Sequence, residues 1–549
     1  MHTGMTRRRL LALSSLFASS LALKGTRLLS QAAAQTDASI EIMPGEPIGT
    51  IAPEIYGHFI EQLGGVIYDG VWVGKGSSIK NENGVRKAFL DAMREIKAPV
   101  MRWPGGCFAD SYDWRDGLGA SRPQRTAFWS QEDSNHFGTH EFMDACKAIG
   151  CETYLAANVR SMPAKDFYQW VEYCNAPAGI GNDLARQREK NGSREPFRVK
   201  FWGVGNESWG CGGDMTPEEY GHTYRQYAAW LPKYPGQPMN LVGVGPNGYD
   251  LEWTRRVFES FNGHLPWGLS THYYTSGSAK KFAAGDAIRF DEAEYYDLLA
   301  RANGMDRLLQ DHWLQMQGHD STHKTKFVVD EWGAWYGDGS RIGPNYNLSQ
   351  VPTMRDALLT GITLDIFQRN ADKVAMACVA QTINCLHSLM LAREDKFIRT
   401  PVYNVFQMYM PHMGAQAVRT LFDAPSVVNP LAQDTPVGGN SATGTLPAQR
   451  SVPGLTGSAS ITGKNVTLSV VNTNLHEALS TRIRVRGASV KSGSGQTLFE
   501  TDIHAHNDFQ NPTAVKTKQV SLTEAMLNGG TLMYSFPPAS VTTLTLTLV

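Results

Sequence analysis

Between residues 51 and 400, short apolar segments alternate with stretches in which apolar residues recur every three to four positions. The apolar segments are rich in Val, Ile, Phe and Tyr, as buried parallel strands are. They are Ile55–Gly64, Pro99–Pro104, Thr153–Val159, Lys200–Gly205, Leu241–Gly245, Gly268–Tyr274, Phe327–Trp332 and Val374–Gln381. Strand and helix alternating eight times predict an α/β fold, a (β/α)8 TIM barrel at residues 51–404. A doubly wound open sheet is the alternative.

Two of the intervening stretches carry clear helix signals. Val85, Phe89, Met93 and Ile96 recur at helical spacing, with charged residues on the opposite face. The segment Thr216-Pro217-Glu218-Glu219 is a capping box with proline at the first helical position. It therefore predicts a helix that begins at residue 217.

Beyond residue 405 the hydrophobic period changes to two. Val466–Val470 and Leu544–Leu548 alternate apolar with polar residues, and Gly and Asn separate such runs. This pattern predicts a C-terminal antiparallel β-sandwich domain. We assign residues 405–549 to it together with residues 36–50, because Ser39–Ile42 alternates in the same way and predicts an N-terminal strand of the sandwich.

The first 34 residues have the pattern of an export signal. Arg7, Arg8 and Arg9 precede an uncharged, mostly apolar stretch at residues 10–23, which is shorter than the roughly 20 residues that a membrane-spanning helix needs. Small residues around Ala34 offer a cleavage site. Paired arginines before such a stretch are typical of a twin-arginine signal. We expect a protein exported to the periplasm or secreted, without stable membrane insertion; a Sec signal or a retained tether is the alternative.

Composition limits the partners of the chain. Its 549 residues include 51 Lys and Arg against 52 Asp and Glu, for a net charge of −1, which argues against sequence-independent binding to nucleic acid. The seven cysteines form no Cys-x-x-Cys pair, and no His-Glu-x-x-His segment occurs. The sequence therefore predicts no metal site, and nothing in it calls for an organic cofactor.

Candidate chemistry lies where two predicted strands end, because barrel enzymes place reacting groups there. The fourth run leads into Asn206-Glu207-Ser208, and the seventh ends in Asp330-Glu331-Trp332. Glu207 and Glu331 are thus expected to face each other across the barrel mouth. Two facing carboxyl groups, one protonated and one ionised, are what glycoside hydrolysis requires. For either glutamate alone, a salt bridge at the barrel rim is the alternative.

With these residues in place, the chain resembles the α-L-arabinofuranosidases of glycoside hydrolase family 51. The resemblance covers nearly the whole chain after the signal and rests on six segments in the family's order. They are Ile55-Tyr56-Gly57-His58-Phe59-Ile60-Glu61, Met101-Arg102-Trp103-Pro104-Gly105-Gly106, Gly205-Asn206-Glu207, Thr271-His272-Tyr273-Tyr274, Asp330-Glu331-Trp332-Gly333-Ala334-Trp335 and Ala380-Gln381-Thr382-Ile383-Asn384. The resemblance implies a retaining hydrolase that releases terminal arabinofuranosyl residues from arabinoxylan- or arabinan-type polysaccharides or oligosaccharides. It also allows assembly into a homo-oligomer.

By that resemblance, Glu207 would be the general acid/base and Glu331 the nucleophile of a double displacement. Asn206 would hydrogen-bond the sugar 2-hydroxyl. Arg102 and Tyr274 would hold Glu331 ionised and oriented, since a guanidinium and a phenol both favour a charged carboxylate. Retention of configuration would place the two carboxyl groups about 5 Å apart, whereas about 9 Å would imply inversion.

The resemblance also implies the outer parts of the site. His272 would lie beside Glu207 and assist its proton transfer, with a satisfied core histidine as the alternative. Glu61 and Gln381 would bind furanose hydroxyls, and Trp335 would offer an apolar wall.

One position departs from the family pattern. After the segment that ends at Gly106, many members carry an Asn that contacts the sugar, and this chain has Cys107 at that substrate-binding position. A thiol is a poor hydrogen-bonding group, so one contact to a sugar hydroxyl is expected to be altered or supplied elsewhere. We hypothesise a disulfide between Cys107 and Cys211 that shapes the floor of the pocket.

Two other functions remain compatible with the sequence. An endo-glucanase or xylosidase would use the same carboxylate pair, because the fold does not determine the substrate. A non-catalytic carbohydrate-binding protein, with the C-terminal domain as the binding module, belongs to a different class.

Overall fold

The computed structural model describes residues 38–277, 284–337, 341–436, 445–523, 526–528 and 530–549. The export signal expected at residues 1–34 lies outside these ranges. The described residues contain a closed barrel and a large sheet that belong to one compact unit, Thr36–Val549.

The barrel consists of eight parallel strands, each paired with the next in the chain and the last paired with the first. In chain order they are Gly57–Phe59, Val100–Trp103, Glu152–Ala157, Phe201–Val204, Asn240–Gly243, Gly268–Thr275, Lys326–Ala334 and Val374–Val379. Every apolar segment predicted to be a strand overlaps one of them. The prediction of a TIM barrel is confirmed, and its closure excludes the doubly wound alternative.

Helices follow the barrel strands and cover the outside of the barrel. Among the described residues, the α-helices are Lys87–Glu95, Thr139–Ile149, Ala164–Asn175, Asp183–Lys190, Pro217–Ala228, Leu251–Phe261, Glu292–Gln317, Met354–Arg369 and Pro401–Tyr409, with 3₁₀ turns at Pro53–Tyr56, Ala109–Ser111 and Met410–His412. The predicted capping box is present: the Thr216 side chain accepts from the Glu219 amide at 3.3 Å, and the Glu219 carboxylate accepts from the Thr216 amide at 2.8 Å. None of the helices in the described part of the chain is long and apolar enough to cross a bilayer.

The second part of the fold is a ten-stranded sheet. Its strands are Ala38–Thr50, Gln416–Asp423, Leu455–Thr462, Asn465–Asn472, Leu479–Val485, Val490–Leu498, Lys518–Ser521, Leu527–Asn528, Thr531–Phe536 and Ser540–Leu548. Strands from both halves of the sheet share one hydrophobic core, to which Leu468, Ile483, Leu532 and Leu544 contribute. The sheet therefore folds over itself, as a sandwich does.

The N-terminal strand predicted from Ser39–Ile42 is present. Within Ala38–Thr50, it pairs antiparallel with Gln416–Asp423 and parallel with Leu479–Val485. The parallel pair is the one departure from the antiparallel pattern among the described strands of this sheet.

A buried helix joins the sheet to the barrel. Helix Met354–Arg369 follows the seventh barrel strand and is buried along nearly its whole length. Its Asp365 accepts hydrogen bonds from Ser458 and Ser469 of the sheet.

Short two-stranded sheets lie in the loops. Their strands are Asn81–Glu82 with Val85–Arg86, Arg125–Thr126 with Glu132–Asp133, Met390–Arg393 with Lys396–Arg399, Ser426–Val428 with Ser451–Pro453, and Thr435–Pro436 with Thr445–Leu446. The hairpin after the second barrel strand carries Trp129 at its tip, and Trp129 reaches the barrel mouth.

Candidate active site

The fourth and seventh barrel strands bring Glu207 and Glu331 together. Glu207 follows the strand Phe201–Val204, and Glu331 lies near the carboxyl end of Lys326–Ala334. One carboxylate oxygen of each glutamate and one ring nitrogen of His272 lie within 4.8 Å of one another. This spacing matches the roughly 5 Å of retaining glycosidases and is well below the separation that inverting enzymes need.

Glu331 is held by two strong donors. Arg102 Nη1 donates to Glu331 Oε1 at 2.7 Å, and the Tyr274 hydroxyl donates to Glu331 Oε2 at 2.7 Å. Arg102 also donates from Nη2 to Asn206 Oδ1 at 2.6 Å. A guanidinium and a phenol aimed at one carboxylate stabilise its charged form.

A bulge in the seventh strand turns two consecutive carboxylates into the barrel. In the pairing with the sixth strand, Val328 lies opposite Ser270, whereas Glu331 lies opposite His272. Three steps on one strand thus match two on the other, which is the signature of a β-bulge. The extra residue lets Asp330 point inward next to Glu331, although neighbours in a regular strand point to opposite faces.

Asp330 anchors the base of the site. It accepts from the Ser270 hydroxyl at 2.6 Å and from the Tyr154 hydroxyl at 2.8 Å. Burial acts to raise its pKa, but the charge of Arg102 and the hydrogen bond from His272 outweigh burial, so the pKa of Asp330 lies well below its usual range.

His272 links the two halves of the site. Its Nδ1 lies 2.9 Å from Glu207 Oε1, and its Nε2 lies 3.2 Å from Asp330 Oδ1. Both ring nitrogens face carboxyl oxygens, and only the imidazolium can donate from both. Burial opposes that charge, yet the charge of Glu331 and the hydrogen bonds with Asp330 and Glu207 raise the pKa of His272 to about 10.

The surroundings of Glu207 favour its protonated form. Burial is the largest influence on its carboxyl group and raises its pKa, while the hydrogen bond from His272 acts in the other direction and is the smaller effect. The protonated form of Glu207 is thereby favoured, as an acid catalyst requires.

The hypothesised disulfide is present: Cys107 and Cys211 are bonded, both sulfur atoms lie next to Glu207 Oε2, and Cys107 lines the cavity. The other cysteines, Cys146, Cys151, Cys174, Cys378 and Cys385, are free thiols.

Glu61 and Gln381 lie side by side in the lining of the cavity. Gln381 Nε2 donates to Glu61 Oε2 at 3.0 Å, and Glu61 Oε1 accepts from the Phe108 amide at 3.0 Å and from Trp129 Nε1 at 3.1 Å. Burial and the nearby charge of Glu331 raise the pKa of Glu61 to about 7.

A cavity lies between the two glutamates. It is lined by Glu61, Leu63, Gly106, Cys107, Trp129, Glu207, Tyr274, Glu331, Trp335, Leu348, Gln381 and Leu386. Three of the residues singled out from the sequence, Arg102, Asn206 and His272, lie behind this lining and act on it through hydrogen bonds. A larger surface groove around Tyr68 contains neither glutamate.

Sequence reasoning missed two residues of the site. Asp330 directly precedes Glu331 in the sequence, but only the bulge in the seventh strand shows that its side chain points into the barrel. Trp129 lies in a loop hairpin without any local pattern, and its indole contacts Glu61 only because the hairpin folds over the mouth. The position of Asp330 directly before Glu331 was a sequence signal that could have identified it. No sequence signal pointed to Trp129.

Comparison with known proteins places the chain. Residues 92–279 match the family model described as the alpha-L-arabinofuranosidase 1 domain, and residues 330–540 match the alpha-L-arabinofuranosidase C-terminal domain. An intracellular exo-alpha-L-arabinofuranosidase of Bacteroides ovatus is 34% identical over 524 residues, which cover 93% of this chain and 96% of the relative. The chain belongs to the α-L-arabinofuranosidases.

Solved structures give the glycoside hydrolase family of this arabinofuranosidase. The family 51 arabinofuranosidase of Xanthomonas axonopodis pv. citri is 33% identical, with a TM-score of 0.85 over 93% of this chain and all of that one. The family 51 enzyme of Thermotoga petrophila is 30% identical, with a TM-score of 0.77 over 92% of this chain and 99% of that one. The resemblance to family 51 is therefore confirmed, and membership sets aside both the glucanase or xylosidase and the non-catalytic alternative.

One expectation is contradicted by these comparisons. The chain was expected to be exported to the periplasm or secreted, whereas the Bacteroides ovatus relative is named an intracellular enzyme. Arginines before an apolar stretch form a short pattern of low specificity, and residues 1–34 lie outside the described part of the chain.

Proposed function

We propose that this arabinofuranosidase removes terminal α-L-arabinofuranosyl residues from arabinoxylan- or arabinan-type substrates with retention of configuration. The observation that carries the proposal is the pair Glu207 and Glu331, whose carboxyl oxygens lie within 4.8 Å across one cavity. Their different surroundings support different roles, with Glu207 as acid/base and Glu331 as nucleophile.

In the first step, a carboxylate oxygen of Glu331 forms a bond to the anomeric carbon while the bond from that carbon to the leaving oxygen breaks. Glu207 gives its proton to the leaving oxygen, so the alcohol departs neutral. In the second step, Glu207 removes a proton from water, the water oxygen bonds to the anomeric carbon, and Glu331 leaves as a carboxylate. Two inversions give net retention.

The neighbours of the pair support these steps. Arg102 and Tyr274 orient Glu331 for attack and stabilise it again when it leaves. His272, charged and fixed by Asp330, keeps its hydrogen bond to Glu207 whether that group holds a proton or not. Asn206 accepts from Arg102 through its oxygen, and its amide nitrogen, which lies 3.8 Å from the Cys211 sulfur, is the group that would donate to the sugar 2-hydroxyl.

The shape of the cavity supports terminal release. Glu61 and Gln381 line the same cavity as Glu207, and their oxygens and amide can bind furanose hydroxyls there. Trp335 packs edge-on against Tyr274, with ring centres 4.9 Å apart, and gives an apolar wall. In this arrangement the terminal sugar would contact Glu61, Gln381 and Trp335, and the leaving group would lie against Glu207.

The stereochemistry of hydrolysis tests this proposal. We expect proton NMR of an aryl α-L-arabinofuranoside reaction to show the α-anomer of arabinose first, with the β-anomer appearing later by mutarotation. Arabinose should also be released from arabinoxylan, with xylosides and glucosides cleaved at least about a hundredfold more slowly. The β-anomer as first product would overturn the mechanism, and preferred release of xylose or glucose would overturn the substrate.

A further inference from the structure

The two oxygens of the Glu207 carboxyl group have unlike neighbours. Oε1 faces His272 Nδ1 at 2.9 Å. Oε2 lies 3.5 Å from the Cys211 sulfur and 3.7 Å from the Cys107 sulfur. These sulfurs are bonded to each other and carry no hydrogen, so neither can donate to Oε2. In the described part of the chain, the donor that reaches this carboxyl group is His272, on the other oxygen.

The disulfide also holds the backbone at Glu207. Glu207 begins a tight turn in which its carbonyl oxygen accepts from the amides of Gly210 at 2.8 Å and Gly212 at 3.0 Å. Its φ of +39° is in the left-handed region, which is costly for a residue with a side chain. Cys211 lies inside this turn, and its bond to Cys107 ties the turn to the loop after the second barrel strand.

We infer that the Cys107–Cys211 disulfide is a positioning element for the acid/base: it walls Glu207 Oε2 with sulfur atoms that cannot donate, so this oxygen keeps its proton for the leaving group. The inference rests on the proposed role of Glu207. A side chain with a donor at the place of either sulfur would instead stabilise the ionised form of the acid.

The other groups that act on Glu207 stay the same when the disulfide is opened. They are His272, which donates to Oε1, and the charges of Glu331 and Arg102, while Asp330 and Tyr274 lie one contact further away. Opening the disulfide also frees the turn at Glu207 and removes the contact of Asn206 Nδ2 with the Cys211 sulfur. The contribution of Oε2 is therefore isolated by comparing two variants that both lack the disulfide and differ in whether they place a donor beside that oxygen.

The first measurement is a count of free thiols in denatured, unreduced protein. Five of the seven cysteines should react. Seven reactive thiols would overturn the inference, because the disulfide would not exist in solution.

The decisive measurement is the pH dependence of kcat/KM for an arabinofuranoside with a poor leaving group. The alkaline limb reports the pKa of the protonated acid in the free enzyme. The double variant Cys107→Ser, Cys211→Ser places hydroxyl donors beside Oε2. Because a donor favours the ionised carboxylate, we expect this limb to move to lower pH by about half a unit or more. Wild-type enzyme reduced with dithiothreitol should move in the same direction by less, since a thiol is a weaker donor.

The double variant Cys107→Val, Cys211→Val is the matched control. It also lacks the disulfide but presents methyl groups, so its alkaline limb should stay near that of the oxidised wild type. Reduced wild-type enzyme keeps the native sequence. Its pH profile therefore tests the inference even if a double variant does not fold. An unmoved limb in both the reduced enzyme and the Ser variant, or an equal shift in the Ser and Val variants, would overturn the inference.

Glu207→Ala separates this inference from the proposed function. If Glu207→Ala hydrolyses the poor substrate as fast as wild type, the acid/base role itself is wrong. If Glu207→Ala abolishes that activity and the cysteine variants leave the limb in place, only the inference about the disulfide fails.

Discussion

Glu331 and Glu207 lie on opposite sides of one cavity and have opposite surroundings. Glu331 accepts from a guanidinium and a phenol, each at 2.7 Å. Glu207 has sulfur atoms on one oxygen and a single donor, His272, on the other, and burial raises its pKa. The seventh strand thus presents a carboxylate among donors, and the fourth strand presents a carboxyl group largely without them.

This contrast shows that the surrounding residues determine which glutamate acts as the acid/base and which as the nucleophile. The two side chains are chemically identical, so nothing in either glutamate decides which gives a proton and which attacks. The donors of Glu331 come from the second and sixth strands, and the sulfur wall of Glu207 comes from the loops after the second and fourth. Different surroundings are the general means by which two chemically identical carboxyl groups take different roles.

The largest effect should come from replacing the two glutamates in turn. Glu331→Gln removes the nucleophile, and we expect kcat to fall by about 10⁴-fold or more on every arabinofuranoside. Glu207→Gln should lose comparable activity only on poor leaving groups, because a nitrophenolate departs without a proton. Steady-state kinetics on both kinds of substrate check this, with circular dichroism as the control for folding. Equal losses across leaving groups in both variants would contradict the assigned roles.

The next effect should come from one donor of Glu331. Tyr274→Phe removes a hydrogen bond to a charged group, worth about 1.5–3 kcal/mol, so we expect kcat to fall about 10- to 100-fold. Tyr154→Phe is the matched control, because that hydroxyl donates to Asp330 and to neither glutamate. Kinetics of both variants on one aryl arabinofuranoside provide the measurement, and a larger loss in the control would show that the contact to Glu331 matters less than the geometry suggests.

A smaller effect should appear at Glu207 when His272 is replaced. The hydrogen bond and charge of His272 lower the pKa of Glu207 against the effect of burial. His272→Gln should therefore move the alkaline limb of kcat/KM to higher pH, the reverse of the shift expected for Ser at the two cysteines. A pH profile on the poor substrate measures it, and a limb that moves to lower pH would refute the proposed electrostatics.

The smallest effect concerns stability. The pKa of His272 is raised from 6.5 to about 10 in the folded protein, so folding favours the imidazolium. The stabilisation from this group is fully present below pH 6.5 and is lost as pH rises from 6.5 to 10. Urea denaturation of wild type and His272→Gln should show a difference in unfolding free energy that is constant below pH 6.5 and shrinks above it. A difference that does not change with pH would mean that His272 is not charged in the fold.

The sequence predicted most of the architecture because burial leaves a local pattern. Segments such as Phe327–Trp332 are apolar on both faces, as only buried parallel strands are, and the run Val466–Val470 alternates as a strand with one buried face does. The local pattern could not predict which strands the N-terminal strand pairs with, or in which direction. Ala38–Thr50 lies parallel to Leu479–Val485, and alternation has the same form in parallel and antiparallel pairs.

For the site, the chain by itself determined which residue types stand at the ends of strands, and Glu207 and Glu331 follow from that alone. Only the tertiary structure decided what surrounds them. The bulge that turns Asp330 inward, the hairpin that brings Trp129 to Glu61 and the joining of Cys107 to Cys211 all depend on contacts between residues far apart in the chain. The pKa of a carboxyl group depends on the groups that surround it in space. The local sequence pattern indicates that a residue is buried, but it does not identify those surrounding groups.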